Sequence, residues 1–379
     1  MREGSLDTIA AKNVVGTGAA PGATLGVAVR TAEGWQHYSG AAGRFSIRDR
    51  TPVEPGTIYD LASVSKPFLA MLCAERVAKG RLDWDTKLSS LLIEMEGFAA
   101  GEASVEALLS HRGGLRAHVD LFRDHQAQQP INCRSMMRRA AAAMLPTSDA
   151  PMGTPPAVYS DLGYLLLGKA LERLENERLD ELLERFVTTP LGLEIRSSRL
   201  WLRQGLTPRA FAPTEQVSWR GGELVASTHD ENAWAIAGHG FAGHAGLFGN
   251  VNALLTFGCR LCDAYNAPDP NWPASVFVRK MARAKPGTTQ AIGFDTKAVQ
   301  GASSTGDAFG PRTFGHLGFT GTSLWCDPDA NIVVSLLTNR VNPRREPNPM
   351  REVRLNVHDQ LFREGLLHRS PLIFPQTHG

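Results

Sequence analysis

The chain has 379 residues, 42% of them hydrophobic and 21% charged, with 40 Lys plus Arg against 38 Asp plus Glu for a net charge of +2. This balance excludes a disordered, collagen-like or coiled-coil chain, and it leaves no charge excess to hold nucleic acid or an anionic membrane surface. A chain of this length buries about 75% of its unfolded surface without needing disulfides, and the expected partner is a small molecule.

Five cysteines, Cys73, Cys133, Cys259, Cys262 and Cys326, form an odd, scattered set, which reads as thiols in a reducing compartment. Residues Met1 to Val15 lack the apolar centre of a secretory signal, and no stretch approaches the roughly 18 apolar residues of a membrane span. A cytoplasmic location is the expectation. The oligomeric state is not legible.

In chain order, Pro21 to Val29, a polar turn at Glu33 and Gly34, and Trp35 to Ser39 read as a hairpin. Thr57 to Leu61 reads as a short strand before a helix with Pro67 in its first turn. Helical spacing then dominates, over Pro67 to Val77, Val105 to Leu109, Leu162 to Leu174, Leu179 to Phe186 and Val251 to Tyr265. Strand character returns only near the other end, in one block from Thr313 to Cys326 and, past Asp327 and Pro328, in Asn331 to Thr338. A last amphipathic segment carries Val353, Val357, Leu361 and Phe362 to cover a sheet face. Pro343 to Pro349 reads as a surface loop. The predicted class is α+β, with an antiparallel sheet closed from both termini (residues 1–65 and 286–379), flanked by helices, and a mostly helical insertion (66–285). The ligand site falls in the crevice between them.

Ser63 and Lys66 are three residues apart, so on a helix they share one face. The amine accepts the serine proton only when neutral, a state that burial can favour for lysine and never for arginine. Lysine is the minority cation here, 8 against 32 arginines, yet 22 serines and 8 lysines still give about 0.5 chance occurrences of this spacing. Ser63 at a helix start would have free amides and the positive dipole end to favour an oxyanion.

Taken together, Leu61 to Pro67, then Leu108 to Leu115, then Tyr159, Ser160 and Asp161, and finally Gly315 to Gly321, stand in an order that resembles the serine β-lactamase and penicillin-binding-protein superfamily. The similarity is to the branch of class C β-lactamases, D-alanyl carboxypeptidases and esterases, and spans about Ala20 to Thr338. It implies a β-lactamase/transpeptidase-like fold and a serine hydrolase needing no metal or cofactor and acting on a small ester, amide or peptide. In the roles it implies, Ser63 is the nucleophile, Lys66 and Tyr159 manage its proton, and the amides of Ser63 and Phe319 form the oxyanion hole. Asp161 stands where the family has Asn; it suits an N-cap of the following helix, and if it faced Lys66 it would favour the ammonium and shift work to Tyr159. His316, Leu317 and Gly318 replace Lys, Thr, Gly. Gly318 still admits substrate against the strand, but a histidine largely neutral at pH 7 weakens carboxylate recognition and argues against an efficient β-lactamase. His316 is left to orient substrate or tune Tyr159.

The alternatives are a β-lactamase or D-Ala-D-Ala carboxypeptidase and, in a different class, a non-catalytic binding or regulatory module. His229, His239 and His244 do not have metal-ligand spacing, and Cys259 with Cys262 lacks a second pair and reads as core packing.

Overall fold

A computed structural model describes residues 4–146, 157–298 and 303–368. Its centre is a six-stranded antiparallel sheet. The strands are β1 (Gly22–Thr31), β2 (Gly34–Gly43), β3 (Asp295–Thr296), β4 (Phe314–Leu317), β5 (Ser323–Asp327) and β6 (Ile332–Thr338), in the order β2-β1-β6-β5-β4-β3. The first and last long strands lie side by side, from Ala23 opposite Thr338 to Val29 opposite Ile332, so both termini close one sheet as the sequence pattern predicts. The block Thr313 to Cys326 is two strands and not one. Gly318 to Thr322 forms a turn inside it, with Gly321 at φ 97 and its amide donating to Gly318 O at 3.0 Å.

Helices cover both faces. On one side α1 (Ser5–Ala10) and the C-terminal α5 (Met350–Arg363) bury Leu6, Ile9, Val353, Val357 and Leu361 against Leu25, Val27, Val334 and Leu336. On the other side lies α4 (Val251–Asn266). A Cβ on Gly26 would come within 2.6 Å of Val251 and 2.9 Å of Leu255, so glycine in β1 is what lets this helix approach. The segment 66–285 thus contributes a helix to the flank of the sheet. It also holds α2 (Lys66–Ala78) and α3 (Asp161–Glu175), and a small sheet in which Leu247–Gly249 pairs with Tyr59–Asp60 and Ile195–Ser197. Helix α2 is buried on nearly every side, from Phe68 through Ala74, which makes it the rigid axis beneath the crevice.

Cys259 and Cys262 are buried on α4 as core residues. His358, on α5, is fully buried, and that burial, then the neighbouring Arg354, push its imidazole down to about 4. Because its folded value is depressed, stability from the neutral ring is complete above the unfolded value of about 6.5 and is lost as pH falls toward 4. At pH 5 the loss is about 2 kcal/mol relative to pH 7. Urea unfolding at the two pH values checks this: His358→Gln is expected to remove most of that acid sensitivity, and an equal acid penalty in the variant would contradict it.

Candidate active site

Ser63 lies in a tight turn, Ala62–Ser65, that runs directly into α2. Ala62 has φ 48, an uncommon left-handed conformation for a residue with a Cβ. The surroundings hold it there. Asp60 Oδ1 accepts the Ala62 amide at 2.8 Å, the Leu61 amide donates to Leu247 O at 3.0 Å, and Thr320 and Thr322 donate their hydroxyls to Asp60 O at 2.7 Å and Leu61 O at 2.9 Å. The loop that carries Ser63 is therefore fastened to the turn between β4 and β5.

One helical turn on, Lys66 is completely buried, and its Nζ donates to three oxygens: Ser63 Oγ at 2.8 Å, Tyr159 Oη at 2.7 Å and Asp161 Oδ1 at 2.6 Å. Three acceptors match the three protons of an ammonium. Burial pushes the lysine down, but Asp161 and then Tyr159 more than reverse that, and its pKa ends above the ordinary value. The neutral amine that takes a serine proton is therefore not the resting form: the resting group is an ammonium, as expected if Asp161 faced it, because the residue at 161 is a carboxylate that does. Asp161 is also not the N-cap of α3. Ser160 takes that place, its Oγ accepting the Leu162 amide at 3.2 Å, which leaves Asp161 in the first helical turn with its side chain free to reach Lys66.

Tyr159 presents its ring to the crevice, 37% exposed, with its hydroxyl turned in to Lys66. Burial raises the phenol, Lys66 lowers it and Asp161 raises it, leaving it above its ordinary value and protonated at rest.

These groups open onto a cavity of about 450 Å³ that also presents Leu317, Gly318 and Phe319. Among the described residues no acceptor takes the Phe319 amide, which leaves it available to an incoming oxygen. Gly318 is required, since a Cβ there would collide with Thr322 Oγ1 and stand 2.6 Å from Leu61 O. His316 is buried, and its Nδ1 lies 2.8 Å from its neighbour's carbonyl, Leu317 O. Burial, then Lys66, push it down to about 3, so it is neutral. Its ring centroid is 6.1 Å from that of Tyr159, behind the residues that line the cavity.

The family model described as Beta-lactamase matches residues 10–358. This chain belongs to that family. Its curated relatives include the N-acetylmuramyl-L-alanine amidase of Bacillus subtilis, 27% identical over 80% of this chain and 73% of that one. A putative D-alanyl-D-alanine carboxypeptidase of Escherichia coli K12 is 26% identical over 82% and 77%. The class C beta-lactamase of Rhodobacter sphaeroides superposes with a TM-score of 0.65 over 94% of this chain and 99% of its own, at 16% identity, a likeness of fold. The chain is thus a hydrolase of the beta-lactamase family with the superfamily's α+β fold.

The opposite wall of this beta-lactamase-family cavity holds His229, Asp230, Glu231 and Ala245, from stretches that the sequence suggests as crevice lining, together with Arg345, which sequence did not point to. Arg345, from the stretch read as a surface loop, enters it and pairs with Glu231 at 2.7 Å and with both oxygens of Glu215, at 3.0 and 2.9 Å from its Nε. Glu215 also meets His229 Nε2 at 2.9 Å and is pushed to about 2, where burial alone would have raised it and its two partners prevail. His244 pairs with Asp230 at 2.9 Å, and His239 Nδ1 lies 3.2 Å from Ala226 O. The three histidines therefore stand in separate networks. His229 stacks on Phe319, ring centroids 5.7 Å apart, and Arg340 lies 4.4 Å over the same ring while donating to Phe319 O at 2.7 Å. The wall thereby holds the ring and the carbonyl of Phe319, while the peptide that carries the Phe319 amide is held through Gly318 O, which accepts from Arg354 Nη2 at 3.2 Å.

The excess proton on the Lys66–Tyr159 pair has a consequence for pH. A nucleophilic Ser63 would require the pair to lose one proton first, so kcat/KM is expected to rise with pH on a limb set by these coupled groups. Asp161→Asn removes the charge that raises both, and the limb should move to lower pH by about one unit or more, since a unit charge at this distance is worth about 4 kcal/mol at moderate dielectric. A pH–rate profile of the variant checks it; an unmoved limb would contradict the assignment.

Proposed function

We propose that this chain cleaves an ester or amide bond through an acyl-enzyme on Ser63. The observation that carries the reading is the bridge from Lys66 Nζ to Ser63, Tyr159 and Asp161. With one proton removed from the Lys66–Tyr159 pair, Ser63 Oγ bonds to the carbonyl carbon as its proton passes to the pair. The amides of Ser63 and Phe319 hold the oxyanion, and collapse expels the leaving oxygen or nitrogen, which takes a proton back from Tyr159. Water then repeats the sequence against the acyl group and restores Ser63.

Strand β4 offers no cation for a substrate carboxylate, because His316 is buried and neutral, and Arg345 across the cavity is already shared by two carboxylates. This favours ester and amide donors without a carboxylate at that position over β-lactams. The relatives named as an amidase and a putative carboxypeptidase support an amide as the natural bond. A panel of p-nitrophenyl esters, D-amino-acid p-nitroanilides and a chromogenic cephalosporin tests the reading. The esters or anilides should exceed the cephalosporin at least about tenfold in kcat/KM; a cephalosporin cleaved best would overturn it in favour of a β-lactamase.

A further inference from the structure

His111 is a buried histidine for which the reaction above has no use, and its contacts converge on one residue. Its carbonyl accepts the Val158 amide at 3.0 Å and its Nδ1 accepts the Ser160 amide at 3.0 Å, so the residues on both sides of Tyr159 are tied to it. Its ring lies against Tyr159, centroids 4.5 Å apart at 33°, and against Tyr164 at 5.1 Å. Tyr164 is itself anchored, donating its hydroxyl to Leu109 O at 2.6 Å. To make these bonds His111 adopts φ 59, a conformation that costs a residue with a Cβ and is kept where the surroundings demand it. Since Nδ1 is an acceptor, the ring proton sits on Nε2.

We propose that His111 is the positioning residue of Tyr159: its neutral imidazole forms a platform behind the phenol and fixes, through Val158 and Ser160, the peptide that aims the hydroxyl at Lys66 and Ser63. The neutral form is required, because a protonated ring could not accept the Ser160 amide. Burial, then the nearby Lys66, hold it in that form. The proposal deepens the hydrolase reading and rests on it for its kinetic consequence, while the placement of Tyr159 is measurable without any substrate.

The test uses two variants of the full chain. His111→Ala loses both the acceptor and the platform. His111→Asn keeps an acceptor close to the Nδ1 position and tolerates the left-handed backbone. With tyrosine labelled at the ring carbon bearing oxygen, and the Tyr159 signal assigned by its loss in Tyr159→Phe, the titration of the phenol is followed by NMR. Opened to water, Tyr159 in His111→Ala should titrate lower, near the ordinary phenol value of about 10, while His111→Asn stays near wild type. For a p-nitrophenyl ester, His111→Ala should lower kcat about 10- to 100-fold with KM within about twofold, and His111→Asn should recover most of it. An unmoved Tyr159 titration in folded His111→Ala, or His111→Asn as displaced as His111→Ala, would overturn the proposal. Absent turnover in wild type would count against the hydrolase reading and leave the NMR result to decide this one.

Discussion

Ser63→Ala is expected to remove turnover, lowering kcat at least about 10⁴-fold for any substrate the wild type cleaves, with the fold intact. The size follows from the architecture. The left-handed Ala62 and the four bonds that pin Asp60 to Leu61 exist in the structure around one hydroxyl, which sits 2.8 Å from a buried ammonium. Removing the oxygen deletes the bond-forming atom while the cavity, the Phe319 amide and the Lys66–Asp161 pair remain, so binding should survive. Steady-state kinetics with a thermal melt check this; substantial residual turnover would mean that another group is the nucleophile.

Lys66→Met is expected to cost about 10³-fold in kcat, the middle of the range for losing a proton-transfer group. Methionine fills nearly the same volume in α2, so packing is largely kept. The loss is twofold in kind: the oxygen of Ser63 loses its nearest proton carrier, and Tyr159 loses the cation that lowers it, so it moves still further from the phenolate. Lys66→Arg separates charge from proton transfer. A guanidinium keeps the charge beside Asp161 but cannot be deprotonated, so it should be as inactive as methionine. Rapid-mixing measurement of the acylation burst with a p-nitrophenyl ester checks both variants. An arginine variant near wild-type rate would show that the positive charge alone suffices.

Much of this site was legible before the fold. Ser63 and Lys66 share a helix face by their spacing, and Tyr159 follows from the resemblance, because local spacing and motif order survive translation into coordinates. Asp161 was harder. Ser160 and Asp161 are both good caps, and only the position of Lys66 across the crevice shows which one caps and which one pairs. Arg345 and Glu215 were beyond reach for a related reason: their partners are far away in sequence, and nothing local marks Arg345 among 32 arginines. His111 lies in the stretch Leu108 to Leu115 that carries the resemblance, but its bond to Ser160 spans 49 residues and gives no local sign of a role. The positive φ at His111 and Ala62 is likewise invisible in residues that usually avoid it. For the sheet, the hairpin and the closure by both termini followed from alternation and turn residues, whereas the turn at Gly318 to Thr322 was hidden because its glycines also fit a strand that lies close to substrate.

The central claim is that Ser63 is an activated nucleophile, and covalent capture tests it without knowledge of the substrate. Wild-type protein treated with a fluorophosphonate and digested for peptide mass analysis should carry one adduct on Ser63, formed faster as pH rises along the limb set by Lys66 and Tyr159, and absent from Ser63→Ala. Folded wild-type protein that takes up no adduct, or an adduct that persists in Ser63→Ala, would contradict the account and favour a binding module built on the same fold.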